Sequence, residues 1–467
     1  MKAFFCTPHV TDVDRYGKFK DVGSFLPPLG ICYLGAVLEK NGHEIRIVDG
    51  QLPENTHDRV IEEIGRFSPD LIGISSVVLS QRQSFELAER VKRVFPHTLL
   101  VIGGPHVTTV MSAAMADPAI DIAVYGEGEV TILDLVEYLA GRRALKDILG
   151  VIWRDNGKVM VNPLRPFIEN MDGIPFPARH LLTDLTRYSN HILAHRREPM
   201  TSMITSRGCP NQCVFCNRIF GKEYRYFSAD YVLAEINEVM KLTNRRLKEI
   251  EFEDDTFTID RERIVRICSG LIERKYNLIW SCATRVNNVD LELLQLMKRA
   301  GCWMIQIGIE TGDEQVMKAI KKGITLERVK KVVTWANKAG VQTKGFFMLG
   351  HHVDTAETIQ KTIAFARSLR IHTANFAIAN PYPGTEFFEL AKDYGTFHYD
   401  TDCYSAHHDR PPFVPKGMTS EQLVQFRKKA YRSFYLDPYR IYTLLAEIRG
   451  WQDIRRYYKG LRAFVSL

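Results

Sequence analysis

The stretch RGCPNQCVFCNR, residues 207–218, holds three cysteines within eight positions: Cys209, Cys213 and Cys216. A structural zinc site takes four ligands, usually as two separated pairs, and a fully protein-ligated 4Fe–4S cluster takes four thiolates. The next cysteine in the chain, Cys268, comes more than fifty positions later. The spacing therefore favours a cubane cluster that keeps one iron open for a chelating ligand from outside the protein.

Two other interpretations of the triplet stay open on the residues alone. The thiols could belong to a zinc or purely structural iron–sulfur site, or they could be inert buried cysteines. The second is disfavoured because the same loop is polar and would make a poor piece of core. Its polar residues include Asn211, Gln212, Asn217 and Arg218.

The segment around the triplet alternates extended and helical runs. An extended run at 202–206 precedes the cysteines, and a helical run, Ala229–Leu242, follows them. Six βα repeats predict a partial (β/α)6 version of the eight-stranded α/β barrel, whose chemistry lies at the carboxyl ends of the strands. The five further strands predicted are Glu249–Glu253, Ile279–Ala283, Trp303–Ile309, Gln342–Leu349 and Ala374–Ala379. The polar residues at strand ends are Asp254, Asp255, Arg285 and Glu310.

The first 150 residues also alternate short apolar strands with amphipathic helices. This pattern predicts a doubly wound parallel sheet that binds its ligand at the carboxyl ends of the strands. The predicted strands are Ala3–Cys6, Glu44–Val48, Asp70–Ser75, Leu99–Gly103 and Asp121–Tyr125. The predicted helices are Leu29–Lys40, Thr56–Phe67, Gln81–Phe95 and Thr108–Ala116. The residues singled out at strand ends are Ser75, Ser76, Val77, Gly103, Gly104, His106, Gly126, Glu127 and Gly128. These residues form three stretches, 75–77, 103–106 and 126–128, and an ordinary tight turn after a strand would explain any one of them.

The chain divides into four predicted regions. Residues 1–150 form the first sheet, and residues 151–196 form a linker that carries a β-hairpin turning at Asn156-Gly157. The partial barrel is expected over 197–395. A mostly helical C-terminal region follows over 396–467, where basic and aromatic residues interleave.

Composition indicates a protein of the cytoplasm, with a location at the periphery of a membrane as the alternative. Hydrophobic residues make up 45% and charged residues 25%, and no apolar run is long enough to span a bilayer. The net charge is +7, and from Glu421 onward ten basic residues face four acidic ones. Outside the triplet the cysteines lack the spacing of a second cluster, so we expect them to be small buried residues, with Cys6 and Cys403 the two that could face a ligand.

The Cys-x-x-x-Cys-x-x-Cys spacing, with Phe215 just before the last cysteine, resembles the signature of radical S-adenosylmethionine (SAM) enzymes. The resemblance implies that the three cysteines hold one 4Fe–4S cluster, whose open iron binds SAM and cleaves it to a 5′-deoxyadenosyl radical. By strand position it also implies that Arg285 pairs with the SAM carboxylate and that Glu310 accepts from the ribose. Asp254 or Asp255 would take the SAM ammonium, and Phe215 would lie against the adenine.

The N-terminal stretches LPPLGICYLGAVLEKNGHEIRIVD (26–49), IGISS, IGGPH and YGEGE resemble the cobalamin-binding domain of one large branch of these enzymes. The resemblance implies a flavodoxin-like sheet that binds cobalamin at the strand ends named above. The Asp-x-His-x-x-Gly motif of other cobalamin proteins is absent from the first 150 residues. His106 is therefore expected at the ligand's periphery and not on a metal.

Together these resemblances imply a cobalamin-dependent C-methyltransferase that acts on an unactivated carbon. The alternative is an enzyme with the same cofactors that catalyses oxidative cyclisation, ring contraction or carbon–carbon bond formation. The expected partners are a small-molecule substrate, large and partly apolar or anionic, and an external electron donor such as flavodoxin or ferredoxin. No nucleic acid is expected. We interpret the basic tail as a cover that meets the substrate.

Overall fold

A computed structural model describes residues 1–11, 25–189, 195–397 and 411–446, and then 448, 450, 454, 457–460 and 462. The chain forms two compact units. The first contains the described residues up to Arg187 together with Arg218–Gly221, and the second contains the others. No helix in the part of the chain that the structure describes is long and apolar enough to cross a membrane. Cys403 lies outside the described residues.

The first unit is built on a seven-stranded sheet. Its first five strands are parallel and follow the order β2-β1-β3-β4-β5, as the flavodoxin-like fold requires. The strands are β1 (Lys2–Thr7), β2 (Glu44–Asp49), β3 (Leu71–Ser75), β4 (Leu99–Gly103) and β5 (Ile122–Val124). The helices are α1 (Leu29–Lys40), α2 (His57–Phe67), α3 (Gln81–Val94), α4 (Pro105–Val110) and α5 (Glu129–Leu139).

Two features of this unit differ from the sequence-based expectation. The helix expected over Thr108–Ala116 begins earlier, at Pro105, whose fixed φ suits the first helical turn, and it gives way to a 3₁₀ turn at Met111, where φ is +53°. The hairpin expected in the linker belongs to the sheet: β6 (Val151–Asp155) and β7 (Lys158–Val161) continue it antiparallel from β5.

The second unit is built on a six-stranded parallel sheet in sequential order, which is the predicted partial barrel. Its strands are β8 (Met200–Met203), β11 (Glu249–Phe252), β12 (Ile279–Thr284), β13 (Cys302–Glu310), β14 (Gln342–Leu349) and β15 (Thr373–Ile378). Two shorter pairs are β9 (Ser206–Arg207) with β10 (Arg225–Tyr226), and β16 (Gly395–Phe397) with β17 (Phe413–Pro415).

Nine helices are described in this unit. They are α6 (Ala229–Leu242), α7 (Arg261–Arg274), α8 (Leu291–Arg299), α9 (Glu314–Ala319), α10 (Leu326–Ala339), α11 (Ala356–Ser368), α12 (Glu386–Tyr394), α13 (Ser420–Tyr435) and α14 (Pro438–Ala446). Many of them begin at a Ser, Thr or Asp whose side chain accepts from a backbone N–H of the first turn, as Ser228 does from Tyr231.

The helix α13 closes the free edge of the barrel sheet. The Tyr435 hydroxyl accepts from the Ala374 amide at 3.1 Å and donates to the Ala374 carbonyl at 2.9 Å, while the Tyr431 hydroxyl accepts from the Phe376 amide at 3.2 Å. Side chains thus supply the partners that a further strand would give to β15. This part of the C-terminal region completes the sheet, which differs from the cover that the sequence suggested.

Candidate active site

The cysteine loop is tied at its centre to two helices of the barrel. The Val214 amide donates to the Ile320 carbonyl at 3.1 Å, and the Val214 carbonyl accepts from the Phe387 amide at 2.8 Å. Both the residue that ends α9 and the first turn of α12 therefore hold the segment between the second and third cysteines. The loop presents Cys213 buried, Cys209 half-buried and Cys216 exposed.

The three thiols lie close enough to act on one another. Desolvation, and then the charges of Cys213, Asp255 and Cys209, raise the pKa of Cys216 to about 11. Two side chains donate to the sulfurs: Asn211 Nδ2 to Cys209 at 3.1 Å, and Arg285 Nη1 to Cys213 at 3.5 Å. Metal binding would displace the thiol protons, so this grouping suits thiolate ligands.

The three thiols are not grouped as ligands of a single ion are. Tetrahedral zinc, with Zn–S bonds of about 2.3 Å, needs its sulfurs about 3.8 Å apart. Over the described ranges no three His, Cys, Asp or Glu side chains converge on one ion position. A 4Fe–4S cubane takes one thiolate on each iron, and three thiols in one loop, two of them accepting hydrogen bonds from Asn211 and Arg285, suit such a group.

The two aspartates after β11 have different surroundings. Asp254 is buried, and its carboxylate accepts from the Thr205 amide at 2.5 Å and from the hydroxyls of Thr205 and Ser206 at 2.6 Å. It therefore anchors the strand that leads into the cysteine loop. Asp255 is exposed, and it accepts from the Gly208 amide. Of the two predicted SAM ligands, the geometry leaves Asp255 the freer.

Glu310 and Arg285 meet at a lysine that the sequence analysis missed. Lys322 Nζ donates to Glu310 Oε1 at 2.6 Å, and both side chains are only 8% exposed. Arg285 donates to the Lys322 carbonyl as well as to the Cys213 sulfur. A Cβ on Gly308 would lie 2.3 Å from Glu310 Oε1, so only glycine leaves room for the pair. Lys322 lies in a Lys-Lys-Gly turn after α9, and this local sequence does not indicate that the lysine is buried.

Phe215 packs beside a second residue that the sequence analysis passed over. Its ring centroid lies 5.6 Å from that of His351, at the end of β14, and Lys322 Nζ lies 5.7 Å from the Phe215 centroid. His351 is fully buried, and desolvation lowers its pKa to about 3. Asp354 holds the turn by accepting from the amides of Gly350 and His351, both at 2.9 Å. The position of His351 just after a barrel strand was the signal that could have predicted a place in the site.

In the first unit the ends of β3 and β4 are joined directly. The Ser76 amide donates to the Gly103 carbonyl at 2.8 Å, and the His106 amide donates to the Ser76 carbonyl at 3.1 Å. Gly104 has a φ of +105°, and a Cβ there would lie 2.7 Å from the Ser76 oxygen. Ser75 lies half-buried at the end of β3, and Val77 beyond it is 38% exposed. The predicted residues of these two strand ends therefore form one continuous surface.

The third predicted stretch, residues 126–128, is connected to this surface through α4. The Gly126 amide donates to Thr108 Oγ1 at 3.1 Å, and the φ angle of Gly126 is +80°. Glu127 is buried and accepts from the Ile168 amide at 2.7 Å, so its carboxylate fixes a neighbouring segment. A Cβ on Gly128 would lie 3.1 Å from Leu34. Of this stretch, Gly126 is the residue linked most directly to the β4 end.

A polar network at the ends of β1 and β2 was also missed. Thr7 Oγ1 donates to Asp49 Oδ1 at 2.6 Å and accepts from the Gly50 amide at 2.9 Å. His9 and Gln51 add bonds to the same corner. Since β1 and β3 are neighbours, this corner adjoins the switch point at which such sheets bind ligands. Asp49 is the last residue of the motif at 26–49. A carboxylate at the end of an apolar strand was the signal that could have indicated this network.

The β3–β4 edge fits a large ligand that accepts hydrogen bonds. Ser76 Oγ and His106 Nδ1 are buried and have no hydrogen-bond partner in the structure. Desolvation lowers the pKa of His106 to about 4, so its ring is neutral. The backbone approaches closely at Gly104, and Val77 and Leu79 add exposed apolar surface. Cobalamin, a large ring with an amide rim, suits such an edge.

The remaining described cysteines behave as core residues. Cys6, Cys32, Cys268, Cys282 and Cys302 are all buried. Burial raises the pKa of Cys6 to about 12, so its thiol stays protonated.

Comparison with known proteins assigns both units. The B12 binding domain family matches residues 19–136, and the Radical SAM superfamily matches residues 203–366. An uncharacterized methyltransferase of Pyrococcus horikoshii is 35% identical over 454 residues, covering 94% of each chain. The cytidylyl-2-hydroxyethylphosphonate methyltransferase of Streptomyces wedmorensis is 28% identical over 89% of this chain and 87% of its own length.

A relative with a different reaction, and two solved structures, complete the comparison. The anaerobic magnesium-protoporphyrin IX monomethyl ester cyclase of Rubrivivax gelatinosus is 27% identical over 88% of this chain and 74% of its own. The cobalamin-dependent SAM radical enzyme OxsB superposes with a TM-score of 0.80 at 16% identity, over 99% of this chain and 72% of that one. TsrM from Kitasatospora setae, with cobalamin and a 4Fe–4S cluster bound, has a TM-score of 0.71 at 17% identity, over 100% and 99%.

The predicted fold class and family are thereby confirmed. With a cobalamin-type sheet and a cysteine-bearing barrel in one chain, and a relative 35% identical over nearly its whole length, the chain belongs to the cobalamin-dependent radical SAM enzymes, whose cofactors are a 4Fe–4S cluster, SAM and cobalamin.

Proposed function

We propose that this protein is a C-methyltransferase that transfers a methyl group to an unactivated carbon of a small molecule. The observation that carries the proposal is the pairing, in one chain, of the β3–β4 edge with the cysteine loop, in a protein 35% identical to a methyltransferase over 94% of its length. When bound, the cluster and SAM supply the carbon-activating radical, and cobalamin supplies the methyl group.

We assign the protein's own residues as follows. Cys209, Cys213 and Cys216 hold the cluster, and Asn211 and Arg285 donate hydrogen bonds to two of the sulfurs. Asp255 is the proposed partner of the SAM ammonium, and Asp254 positions the strand that enters the loop. The Lys322–Glu310 pair fixes the turn behind Arg285. We assign residues 1–150 as the cobalamin-binding domain. Its binding surface is formed by strand-end residues, with Glu127 and Gly128 supporting them: Ser75, Ser76, Val77, Gly103, Gly104, His106 and Gly126.

Turnover needs an electron from outside, and we propose a flavodoxin or ferredoxin as its donor. The cluster side of the loop is suited to receive it, because the third cysteine is exposed while the second is buried. We place the reaction in the cytoplasm, where thiols stay reduced.

The test uses SAM with a deuterated methyl group and anaerobically reconstituted protein. We expect a small-molecule product that carries the label, together with 5′-deoxyadenosine. Cys216→Ala should abolish both products and remove the cluster absorbance, whereas Cys268→Ala, a buried thiol outside the loop, should retain them. An unlabelled product formed at the same rate would refute methyl transfer.

The second candidate is a cyclase or other rearrangement, which the similarity to the magnesium-protoporphyrin ester cyclase favours. Such a reaction consumes SAM for the radical but leaves no label in the product. The same experiment separates the two functions.

A further inference from the structure

The concave face of the barrel sheet is charged, whereas barrels of this kind usually fill their interior with branched apolar side chains. Two hydrogen bonds identify this face, since each joins β13 to β11 across the intervening β12. Trp303 Nε1 donates to Glu249 Oε1 at 2.8 Å, and Gln306 Nε2 donates to Glu251 Oε1 at 2.6 Å. Small residues on β12 make this reach possible.

Three carboxylates lie along this face, two on β11 and the third, Glu253, directly after its end, and only the first has all its hydrogen-bond partners. Glu249 accepts from the amides of Arg196 and Arg197 as well as from Trp303, so it closes the amino end of the strand. Glu251 is 6% exposed, and its Oε2 has no hydrogen-bond partner. Glu253 has accessible side-chain area, but neighbouring atoms enclose its carboxyl group and desolvate it, and it forms no ion pair with any described residue. Neither Glu251 nor Glu253 is therefore held in an ion pair.

The charge of Lys344 acts on both carboxyl groups, but Lys344 forms no ion pair with either of them. Lys344 projects from the same face of β14, where it pairs in register with Gln306, and its Nζ lies 5.0 Å from the Phe346 ring centroid. Within the described residues it has no ion pair at 4.0 Å or less. Phe346 and Met348, both half-buried, are the apolar neighbours of Lys344 along β14.

A further polar atom without a partner lies on this face, which together with Glu251, Glu253 and Lys344 we call the recess. Ser281 on β12 pairs in register with Glu251, is fully buried, and its Oγ has no hydrogen-bond partner. A buried polar atom without a partner costs about 1–3 kcal/mol, which a ligand that bonds to it would recover. Both orphaned atoms, Ser281 Oγ and Glu251 Oε2, can accept a hydrogen bond.

We propose that this recess binds a protonated amine of the substrate between Glu251 and Glu253, with the Ser281 hydroxyl as a further acceptor. The inference rests on the proposed function and adds the chemical class of the substrate. When both carboxyl groups are ionised they face one lysine and leave one negative charge, which a singly charged ammonium balances and a carboxylate or phosphate would worsen. The raised pKa of Glu253, about 8, has the matching cause: desolvation first, and then repulsion from Glu251.

The basic C-terminal tail had suggested an anionic substrate, and the recess indicates the opposite for the group that enters the barrel. The apolar neighbours Phe346 and Met348 further favour an amine carried on an alkyl or aromatic body. Ammonium binding should displace the proton of Glu253, because the cation stabilises its ionised form.

Calorimetry with three matched probes tests the proposal without any turnover. Hexylammonium, hexanol and hexanoate are titrated at pH 7 into the full-length protein reconstituted with its cluster and cobalamin. We expect hexylammonium to bind, at least tenfold more tightly than the other two, with proton release that differs between buffers. Binding of hexanoate as tight as that of hexylammonium, or no binding of hexylammonium, would overturn the proposal.

Variants connect the binding to the recess. Glu251→Gln/Glu253→Gln should weaken hexylammonium at least tenfold, and Glu273→Gln, an exposed carboxylate on α7, should leave it unchanged. If the double variant does not fold, Glu253→Gln alone should weaken binding and abolish the proton release; unchanged binding in that variant refutes the site. A negative result here leaves methyl transfer standing, and absence of the deuterium label with intact amine binding counts against methyl transfer alone.

Discussion

The Lys322–Glu310 ion pair offers a sharp test of how burial sets the strength of an ion pair, because the neighbouring lysine supplies its own control. Lys322 Nζ lies 2.6 Å from Glu310 Oε1, and both side chains are 8% exposed. Lys321 Nζ lies 2.6 Å from Glu386 Oε1, but these side chains are 49% and 46% exposed. The two pairs thus share chemistry and length and differ in solvent access.

Replacing either lysine by methionine keeps the side-chain length and removes the charge. Lys322→Met leaves a buried carboxylate unpaired, which we expect to lower the free energy of unfolding by about 3–5 kcal/mol. Lys321→Met leaves Glu386 in water, so its cost should be about 0–1 kcal/mol. The double variant Glu310→Gln/Lys322→Met should recover much of the loss, because no isolated charge remains.

The assay is urea unfolding of the apoprotein, followed by the fluorescence of the buried Trp280 and Trp303 of the second unit. The two single variants would be compared at one pH and ionic strength. The reasoning is refuted if they lose stability within about 0.5 kcal/mol of each other, or if the double variant is no more stable than Lys322→Met.

Three further expectations follow from single contacts. Gly104→Ala forces a Cβ to 2.7 Å from a backbone oxygen at φ +105°, so cobalamin retention after gel filtration should fall severalfold, whereas Gly103→Ala, with its nearest atom at 3.6 Å, should retain it. Tyr435→Phe loses two hydrogen bonds and should cost about 1–3 kcal/mol in urea unfolding, more than Tyr431→Phe, which loses one. Burial raises the pKa of Asp354 to about 6, above its unfolded value, so stability should decrease by roughly 3 kcal/mol as pH rises from about 4 to 6, and Asp354→Asn should flatten this dependence.

Strands and their order were predictable because both sheets are parallel and buried. Apolar runs bounded by polar or glycine residues mark such strands, and βα alternation allows few topologies. The strand Gln342–Leu349 was predicted with its observed bounds, and most others within one or two residues. The cysteine spacing likewise predicted that three thiols lie together in one short loop, and their ligation of a cluster stays a prediction.

Contacts between distant segments were not predictable from local pattern. Lys322 pairs with Glu310 across a turn and a helix, and nothing in a KKG sequence indicates burial. Asp254 and Asp255 are adjacent in sequence, yet a one-residue step turns the first toward Thr205 and leaves the second exposed. The acidic face of β11 was visible as alternating glutamates, but its meaning depended on where Lys344 lies.

The C-terminal region shows the same limit. Its basic and aromatic composition suggests a cover over the substrate, and a deletion of Glu421–Leu467 would be the obvious test of that role. Because Tyr431 and Tyr435 complete the hydrogen bonding of β15, that deletion would also expose the edge of the barrel sheet. Substitution of single side chains is therefore the better probe of this region.

The antiparallel hairpin on the first sheet determines where the cobalamin module can be excised. A cut at residue 150 would strip β5 of its neighbour β6 and remove the Asn162 carbonyl that accepts from the Tyr125 hydroxyl. A fragment intended for grafting onto another catalytic domain should therefore run through the hairpin to about Arg187, where the first unit ends its main stretch. In shorter fragments β5 would be an exposed edge strand with unpaired backbone groups, and such edges promote self-association.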